Sequence, residues 1–403
     1  MSLTNQHCRT FTARWVFPVS GPPLPHGTVT VRGDRIEAID PPGTWTPDED
    51  FGNAAIIPGL VNAHTHLDLS GARGLIPPTD PEHFTDWLRG VIAYRRTRMP
   101  EEVHADTRAG LEECMRFGVT LLGDISADGG SWDTVAGSPI RAVVFREMIG
   151  LSEERAEAAR RAGWEWYANR PTAEQTRGGI SPHAPYSARE SLLRCGATPG
   201  MRTTIHLAES PAEMELIMSR SGPFVEFLSS VGAWDPSGLI QSVGAVITHN
   251  RTAGRFLFAH CNYLPIDDAR YFHNDMSIVY CPRTHAAFGH PPHPFREFLA
   301  RGVRVCLGTD SLASNPDLDI LAEARFVREQ YPDFPGAAIL RMVTLSGAEA
   351  LGWADDAGSL EPGKSADLVV VPLPDRDDSD PHELLLADIP GIRQTLFRGE
   401  WRE

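Results

Sequence analysis

Between residues 55 and 357 of this 403-residue chain, short apolar runs alternate with segments of helical pattern. Several of these runs are almost continuously apolar, as expected for parallel strands that are covered on both faces. Eight strand and helix pairs over about 300 residues match the size and rhythm of a closed (β/α)8 barrel. The predicted strands are 55–67, 120–125, 141–148, 179–183, 203–207, 256–261, 277–282 and 303–310.

A doubly wound open sheet is the alternative α/β architecture for such an alternation. Its dinucleotide-binding form places a Gly-x-Gly-x-x-Gly motif after the first strand, and this sequence has no such motif there. We therefore predict a TIM barrel over residues 55–357. Residues 1–54 and 358–403 contain short alternating strands and turns, and we predict that the two chain ends pair into one small β-sandwich domain.

Histidine and acidic residues stand at the carboxyl ends of the predicted strands, which is the edge where TIM barrels carry their catalytic groups. His64 and His66 point to the same face because side chains alternate along a strand. Barrel closure brings the eighth strand beside the first, so Asp310 should lie next to this histidine pair. The candidate residues at strand ends are His64, His66, His183, His206, Glu209, His260 and Asp310.

Each candidate alone has a structural explanation. Asp310 could cap a helix, and Glu209 could be a first-turn acid that the helix dipole favours. The histidines could be hydrogen-bonded residues near a core edge or in a loop. Since all of them fall at predicted strand ends, and since histidine is the commonest metal ligand, we predict a metal site at the mouth of the barrel.

Composition limits the partners and the compartment. A net charge of −16 argues against nucleic acid and anionic membranes as partners. No apolar run approaches the roughly 18 residues that cross a bilayer, and the six cysteines are scattered, as in a reduced protein. We expect a cytoplasmic protein with a small-molecule substrate, while a homodimer is left open.

Lysine is almost absent from the chain. Only one of the 37 basic residues is a lysine, Lys364, and it lies in the turn Glu361-Pro362-Gly363-Lys364. Mechanisms that need a core lysine are therefore excluded, including a Schiff base, a phosphate-binding P-loop and a carbamylated lysine that bridges two metals. The zinc signature of cytidine deaminases is also missing.

Several motifs occur in a characteristic order. They are Pro-Gly-Leu-Val-Asn-Ala-His-Thr-His at 58–66, His206-x-x-Glu209, the strand-end His260, Leu307-Gly308-Thr309-Asp310-Ser311 and the closing segment 358–368. With these motifs the chain resembles the amidohydrolase superfamily, in its deaminase and chlorohydrolase branch. The resemblance implies that one divalent metal, zinc or alternatively iron, is bound by a set of four residues, namely His64, His66, His206 and Asp310.

The resemblance also implies a hydrolytic chemistry. The metal lowers the pKa of its water toward neutrality and supplies hydroxide. His260 and Asp310 take up and orient the proton of that water. Glu209 protonates a ring nitrogen of the substrate as general acid, and His183 hydrogen-bonds the substrate. Ammonia leaves when the tetrahedral intermediate collapses.

Further segments resemble a subgroup that deaminates 6-aminodeoxyfutalosine, an adenine nucleoside derivative of menaquinone biosynthesis with a benzoate tail. These segments are 66–70, 82–92, 145–150 and Cys281-Pro282-Arg283. A guanidinium can bind a carboxylate through two parallel hydrogen bonds, so we expect Arg283 to bind the tail. The alternative is that Arg283 pairs with an acidic residue of a loop.

Other functions remain open at this point. The nearest alternative is a deaminase of S-adenosylhomocysteine, methylthioadenosine, adenosine or another nucleobase. A second class is a hydrolase of the same fold that acts on a triazine C–Cl bond or on a cyclic amide. A third class is a non-catalytic scaffold, although scaffolds have usually lost metal ligands and all four candidates are present here.

Overall fold

The computed structural model describes residues 8–251, 254–388 and 393–402 of the chain. Its strands are β1 (Cys8–Thr12), β2 (Trp15–Val16), β3 (Leu24–Pro25), β4 (Thr28–Arg32), β5 (Arg35–Asp40), β6 (Glu49–Asp50), β7 (Ala54–Pro58), β8 (Leu60–Thr65), β9 (Val119–Ser126), β10 (Arg141–Met148), β11 (Thr176–Pro182), β12 (Arg202–Leu207), β13 (Arg255–His260), β14 (Met276–Tyr280), β15 (Arg304–Leu307), β16 (Leu368–Pro372), β17 (Gln394–Phe397) and β18 (Glu400–Arg402).

Helices follow most of the central strands. They are α1 (Phe84–Thr97), α2 (Pro100–Arg116), α3 (Trp132–Ala136), α4 (Glu153–Asn169), α5 (Glu190–Leu193), α6 (Pro211–Ser219), α7 (Pro223–Ser230), α8 (Val243–His249), α9 (Pro282–Ala287), α10 (Phe295–Ala300), α11 (Ile320–Gln330), α12 (Gly336–Met342), α13 (Leu345–Leu351) and α14 (Pro381–Leu385). In the described ranges, no helix combines the length and the apolar character that a bilayer crossing requires.

Strands β8 to β15 form one eight-stranded sheet in which neighbours in the sheet are also neighbours along the chain. The pairs with a described register are parallel. A parallel bridge joins Thr65 to Asp310, and the Asp310 N–H donates to the His64 carbonyl at 3.0 Å. This contact closes the sheet, so the predicted TIM barrel and the predicted neighbourhood of Asp310 are confirmed.

The prediction of one continuous strand over residues 55–67 was wrong, because the run contains two strands that belong to different sheets. Hydrogen bonding changes at Gly59, whose N–H donates to the Asp367 carbonyl, while the next residue donates to Gly118. A Cβ on Gly59 would lie 2.0 Å from the Thr120 hydroxyl oxygen. Only glycine lets the backbone pass this close to its neighbour.

Contacts between residues divide the chain into two compact units. One unit contains the described residues of 1–62, 113–121 and 319–403. The other contains residues 63–112 and 122–318, and it includes the carboxyl ends of all eight barrel strands. The domain boundaries expected after residues 54 and 357 stay a prediction.

Two β-sheets share one apolar core in the first unit. One sheet has the strand order β5-β4-β1-β6, and the other has the order β18-β17-β16-β7-β2-β3. The second sheet therefore combines strands from both chain ends, as expected from the sequence. Its buried core includes Phe11, Val29, Ile56, Leu368 and Leu396. Burial of such side chains contributes about 1.5–3 kcal/mol each relative to exposure.

Candidate active site

The four predicted metal ligands converge at the carboxyl ends of β8 and β12 and just after β15. His66 Nε2 lies 3.3 Å from His206 Nε2. Asp310 Oδ1 lies 3.8 Å from His64 Nε2 and 3.7 Å from His66 Nε2. Tetrahedral ligands at about 2.1 Å from a zinc ion stand ~3.4 Å from each other. The donor atoms therefore have the spacing of a single coordination sphere.

The electrostatics of the histidines also fit a cation. Within the part of the chain that the structure describes, neither ring nitrogen of the fully buried His64 has a hydrogen-bond partner. Burial lowers the pKa of His64 well below its usual value and that of His206 to about 3, so both imidazoles are neutral. Unsatisfied buried polar groups cost about 1–3 kcal/mol each, and a divalent cation would satisfy the ring nitrogen that carries the lone pair.

A backbone contact fixes the tautomer of His206. Its Nδ1 lies 3.0 Å from the His183 carbonyl oxygen, which can only accept. The proton must therefore be on Nδ1, and the lone pair on Nε2 points to the other donors, as in metal sites whose histidines are held by backbone carbonyls. His183 itself contacts the Ser187 hydroxyl through Nδ1 at 2.5 Å.

Glu209 and His260 form an acid–base pair beside the donor cluster. Glu209 Oε1 lies 3.4 Å from His260 Nε2, and both side chains are buried. Burial, reinforced by Asp310 and Glu213, raises the pKa of Glu209 well above its usual value. Burial lowers the pKa of His260 well below its usual value. Burial therefore favours the protonated carboxyl group of Glu209 and the neutral imidazole of His260.

Glu213 holds the backbone that carries Glu209. Its carboxylate accepts hydrogen bonds from the N–H groups of Ala208 and Glu209, at 3.0 and 2.8 Å. The helix α6 starts here, with Ser210 as N-cap accepting from the Glu213 N–H. Burial raises the pKa of Glu213 to about 7. The capping arrangement therefore fixes the turn and aims Glu209 into the site.

The backbone is strained where the strands deliver their side chains. Ala208, His260, Cys261 and Asp310 have φ angles between 51° and 68°, in the left-handed region that costs non-glycine residues roughly 1–2 kcal/mol. Strain of this kind concentrates at functional sites. His293 donates from Nε2 to the His260 carbonyl at 2.7 Å and holds one of these turns. Sequence reasoning missed His293, which lies in a loop.

His66, His206, Glu209, His260 and Asp310 line one cavity. The helix α1 supplies much of its apolar lining. The other groups around it come from strand ends and from the loops that follow them. The lining residues are His66, Leu69, Phe84, Trp87, Leu88, Val91, Arg95, Glu147, His183, Tyr186, His206, Glu209, His260, Asp310 and Ser311.

Three charged residues at the cavity were not among the candidates from the sequence. Arg95 and Glu147 line the cavity, and Asp68 contacts Arg95. Arg95 on α1 pairs with Asp68 at 3.2 Å and with Glu147 at 3.3 Å. Asp68 and Glu147 lie in the segments 66–70 and 145–150 that resemble the 6-aminodeoxyfutalosine subgroup, and Arg95 lies just after 82–92, but nothing in these segments predicts the ion pair. A helix arginine and a strand-end glutamate become partners only when the barrel folds.

The structure places Arg283 in a bidentate ion pair rather than on the cavity wall. Its guanidinium contacts both carboxylate oxygens of Asp317, at 2.6 and 3.1 Å. Arg283 is not among the residues that line the cavity. This geometry corresponds to the structural alternative considered for Arg283, and its contact with a substrate carboxylate stays a prediction.

Residues 55–400 match the model of the amidohydrolase family. The chain belongs to this family. The resemblance expected from the sequence is thereby confirmed, and the chain is a hydrolase of a metal-dependent family, with donor groups of the expected kind in its barrel.

Two curated relatives have deaminase names. The chain is 31% identical over 384 residues to the 5-methylthioadenosine/S-adenosylhomocysteine deaminase of Moorella thermoacetica, covering 89% of this chain and 84% of that protein. It is 28% identical over 351 residues to the aminodeoxyfutalosine deaminase of Deinococcus radiodurans, covering 81% of each. These names confirm the expected enzyme class, a deaminase.

Solved structures share the fold. The aminofutalosine deaminase of Helicobacter pylori in complex with methylthio-coformycin matches with a TM-score of 0.85 and 20% identity, over 98% of this chain and 100% of that one. An adenosine deaminase of Xanthomonas campestris with bound zinc matches with a TM-score of 0.75 and 23% identity, over 97% and 92%.

Proposed function

We propose that this chain is a metal-dependent aminohydrolase that deaminates an adenine-type nucleoside, with 6-aminodeoxyfutalosine as its substrate. The observation that carries the proposal is a buried carboxyl group with a raised pKa, Glu209, in one cavity with His66, His206 and Asp310, three of the four predicted metal ligands. The substrate is supported by the names of the Deinococcus and Helicobacter proteins.

We assign His64, His66, His206 and Asp310 as the ligands of one zinc ion, with iron as the alternative. Imidazole and carboxylate are donor groups that zinc accepts, and imidazole also suits iron. An ion held by these four residues would keep one further position for a water molecule and would lower the pKa of that water to about 7.

The acid–base residues divide the proton transfers between them. Oxygen from water adds to the ring carbon that bears the amino group, while Glu209 gives its proton to the adjacent ring nitrogen. Asp310 and the neutral His260 accept the proton of the water. That proton then passes to the amino group, the C–N bond breaks and ammonia leaves. The added hydroxyl gives its proton to the Glu209 carboxylate, which restores the acid, and a ring carbonyl remains. His183 is assigned to hydrogen-bond the substrate.

A second candidate substrate has its own support. The relative from Moorella, at 31% identity, acts by its name on methylthioadenosine and S-adenosylhomocysteine. These molecules share the adenine nucleoside with 6-aminodeoxyfutalosine and differ in the group at the 5′ position. The same catalytic residues would serve both substrates, so only the fit of the 5′ group separates them.

The experiment is an ammonia-release screen on the metal-reconstituted protein. The panel contains 6-aminodeoxyfutalosine, methylthioadenosine, S-adenosylhomocysteine, adenosine and a chlorinated triazine. We expect ammonia from adenine nucleosides, with the highest kcat/KM for 6-aminodeoxyfutalosine. Chloride release from the triazine without ammonia from any nucleoside would overturn the proposal, and a higher kcat/KM for methylthioadenosine would support the second candidate.

A further inference from the structure

A cluster of three charged side chains, Asp68, Arg95 and Glu147, has no task in the deamination chemistry described above. Both carboxylates are buried, with side chains 8% and 4% exposed. The guanidinium of Arg95 reaches them at 3.2–3.4 Å. These contacts are longer than the 2.7–2.9 Å that is typical of strong charge-assisted bonds. Arg95 therefore binds the two carboxylates less tightly than a strong ion pair would.

The charges of the cluster favour hydrogen-bond donors in a ligand. The formal charges of the two carboxylates and the guanidinium sum to −1, with burial raising the pKa of Asp68, and ionised carboxylates only accept hydrogen bonds. A second anion, such as the carboxylate or phosphate of a ligand, would be repelled there. Hydroxyl groups, which donate, suit the excess of acceptor oxygens. Glu147 and Arg95 line the cavity directly.

The position of Glu147 matches the far end of a nucleoside. Glu147 lies on β10, two strands away from β12, which carries His206. Since neighbouring strands are about 4.8 Å apart, Glu147 is on the order of 10 Å from the metal-site strand. His183 lies on the way, with Nε2 3.8 Å from Glu147 Oε1. A purine nucleoside spans a comparable distance from its amino-bearing carbon to its sugar hydroxyls.

We propose that Glu147 accepts a hydrogen bond from the 2′,3′-diol of the nucleoside sugar, while Arg95 and Asp68 position its carboxylate. This inference rests on the proposed function and adds a specificity determinant to it. The site then selects ribonucleosides over deoxyribonucleosides. A carboxylate on the substrate tail points away from this cluster because the cluster is anionic.

The test compares Glu147→Gln with the wild-type enzyme on adenosine and on 2′,3′-dideoxyadenosine. Loss of a charge-assisted hydrogen bond corresponds to roughly 10–100-fold in kcat/KM. We expect this loss on adenosine, mainly in KM, and less than about threefold on the dideoxy analogue, which has no hydroxyl to lose. If the Gln variant does not fold, Glu147→Asp replaces it, because the shorter side chain keeps the charge but moves the carboxylate away from the sugar. This variant should also lose kcat/KM on adenosine and much less on the dideoxy analogue.

Asp106→Asn is the matched control. Asp106 is equally buried and pairs with Arg98 at 2.7 Å, but it does not line the cavity. The Asp106→Asn variant should leave the ratio of kcat/KM on adenosine to kcat/KM on 2′,3′-dideoxyadenosine unchanged. Equal losses of Glu147→Gln on both substrates would overturn the sugar contact. Absence of ammonia from every nucleoside with the wild-type enzyme would instead refute the proposed function itself.

Discussion

The strand ends of the barrel and the core shared by the two sheets of the first unit are built on opposite principles. At the strand ends, neutral histidines are buried with unpartnered nitrogens in the described structure, beside residues of left-handed φ. In the shared core, Phe11 packs against Phe51 and Trp401, with ring centroids 6.0 and 5.7 Å away. The first arrangement costs stability, and the second supplies it.

The difference indicates where stability and activity should separate. The strand-end groups become satisfied only when a cation and a substrate occupy the cavity, so their removal should abolish chemistry without unfolding the protein. The ring contacts of Phe11 are with Phe51 and Trp401, neither of which is assigned to catalysis. Truncation of Phe11 should lower the free energy of unfolding and leave the chemistry of the remaining folded molecules intact.

The largest effect is expected for His66→Ala, which removes one metal ligand. Metal content should fall to background after dialysis, and ammonia release should become undetectable. The thermal midpoint should stay close to that of the metal-free wild-type protein, because in the described structure the lost imidazole has one hydrogen-bond contact, with His206 through Nε2, and leaves Nδ1 without a hydrogen-bond partner. His104→Ala, at an exposed position of α2, is the control. Stoichiometric metal in the His66 variant would contradict its role as ligand.

Glu209→Gln should lower kcat by roughly 10²–10⁴-fold, the usual contribution of a general acid–base group, with the metal still bound. Only protonated Glu209 can donate, so wild-type kcat should fall as pH rises through its raised pKa. The Gln variant should lack this alkaline limb of the pH–rate profile. Loss of the metal in this variant would mean that Glu209 is a ligand instead.

Phe11→Ala should lower the free energy of unfolding by about 3–5 kcal/mol, the cost of truncating a buried aromatic residue. Phe11 is 1% exposed. Well below the unfolding midpoint, kcat should equal the wild-type value, and chemical denaturation followed by fluorescence gives the stability change. Phe11→Leu should show a smaller loss. A reduced kcat at unchanged stability would show that the core is coupled to the chemistry.

The smallest effect concerns Arg283, which tests whether the barrel rim belongs to the site or to the scaffold. Its guanidinium is held by Asp317, so Arg283→Met should change kcat/KM by the same modest factor on adenosine and on 6-aminodeoxyfutalosine. Steady-state kinetics on both substrates decides this. A loss of about 10–100-fold confined to the carboxylated substrate would establish the contact predicted from the sequence.

The grouping of candidate residues at the carboxyl ends of the barrel strands could be predicted from the sequence, because two simple rules bring them together. Alternation along a strand pairs His64 with His66, and barrel closure brings Asp310 to them across the whole domain. Gly59 was not recognised as a boundary between sheets, because apolar residues continue on both of its sides.

The cluster of Asp68, Arg95 and Glu147 could not be predicted in the same way. Arg95 lies on α1, where a charged residue is typical of a solvated face, and its partners are distant in sequence. The sequence predicts a helix after the last barrel strand but neither its bounds nor the additional helices α12 and α13. Long-range pairing of charges depends on how helices pack on the barrel, which local patterns do not contain.

Titration of the metal-free enzyme with zinc, followed by ammonia release from an adenine nucleoside, tests the single-metal deaminase most directly. We expect no release without metal, a linear rise with added zinc, and a plateau at about one zinc per chain, since four residues are assigned to a single ion and the chain has no core lysine to bridge two. A plateau at two zinc ions per chain, or full ammonia release without metal, would contradict the assignment.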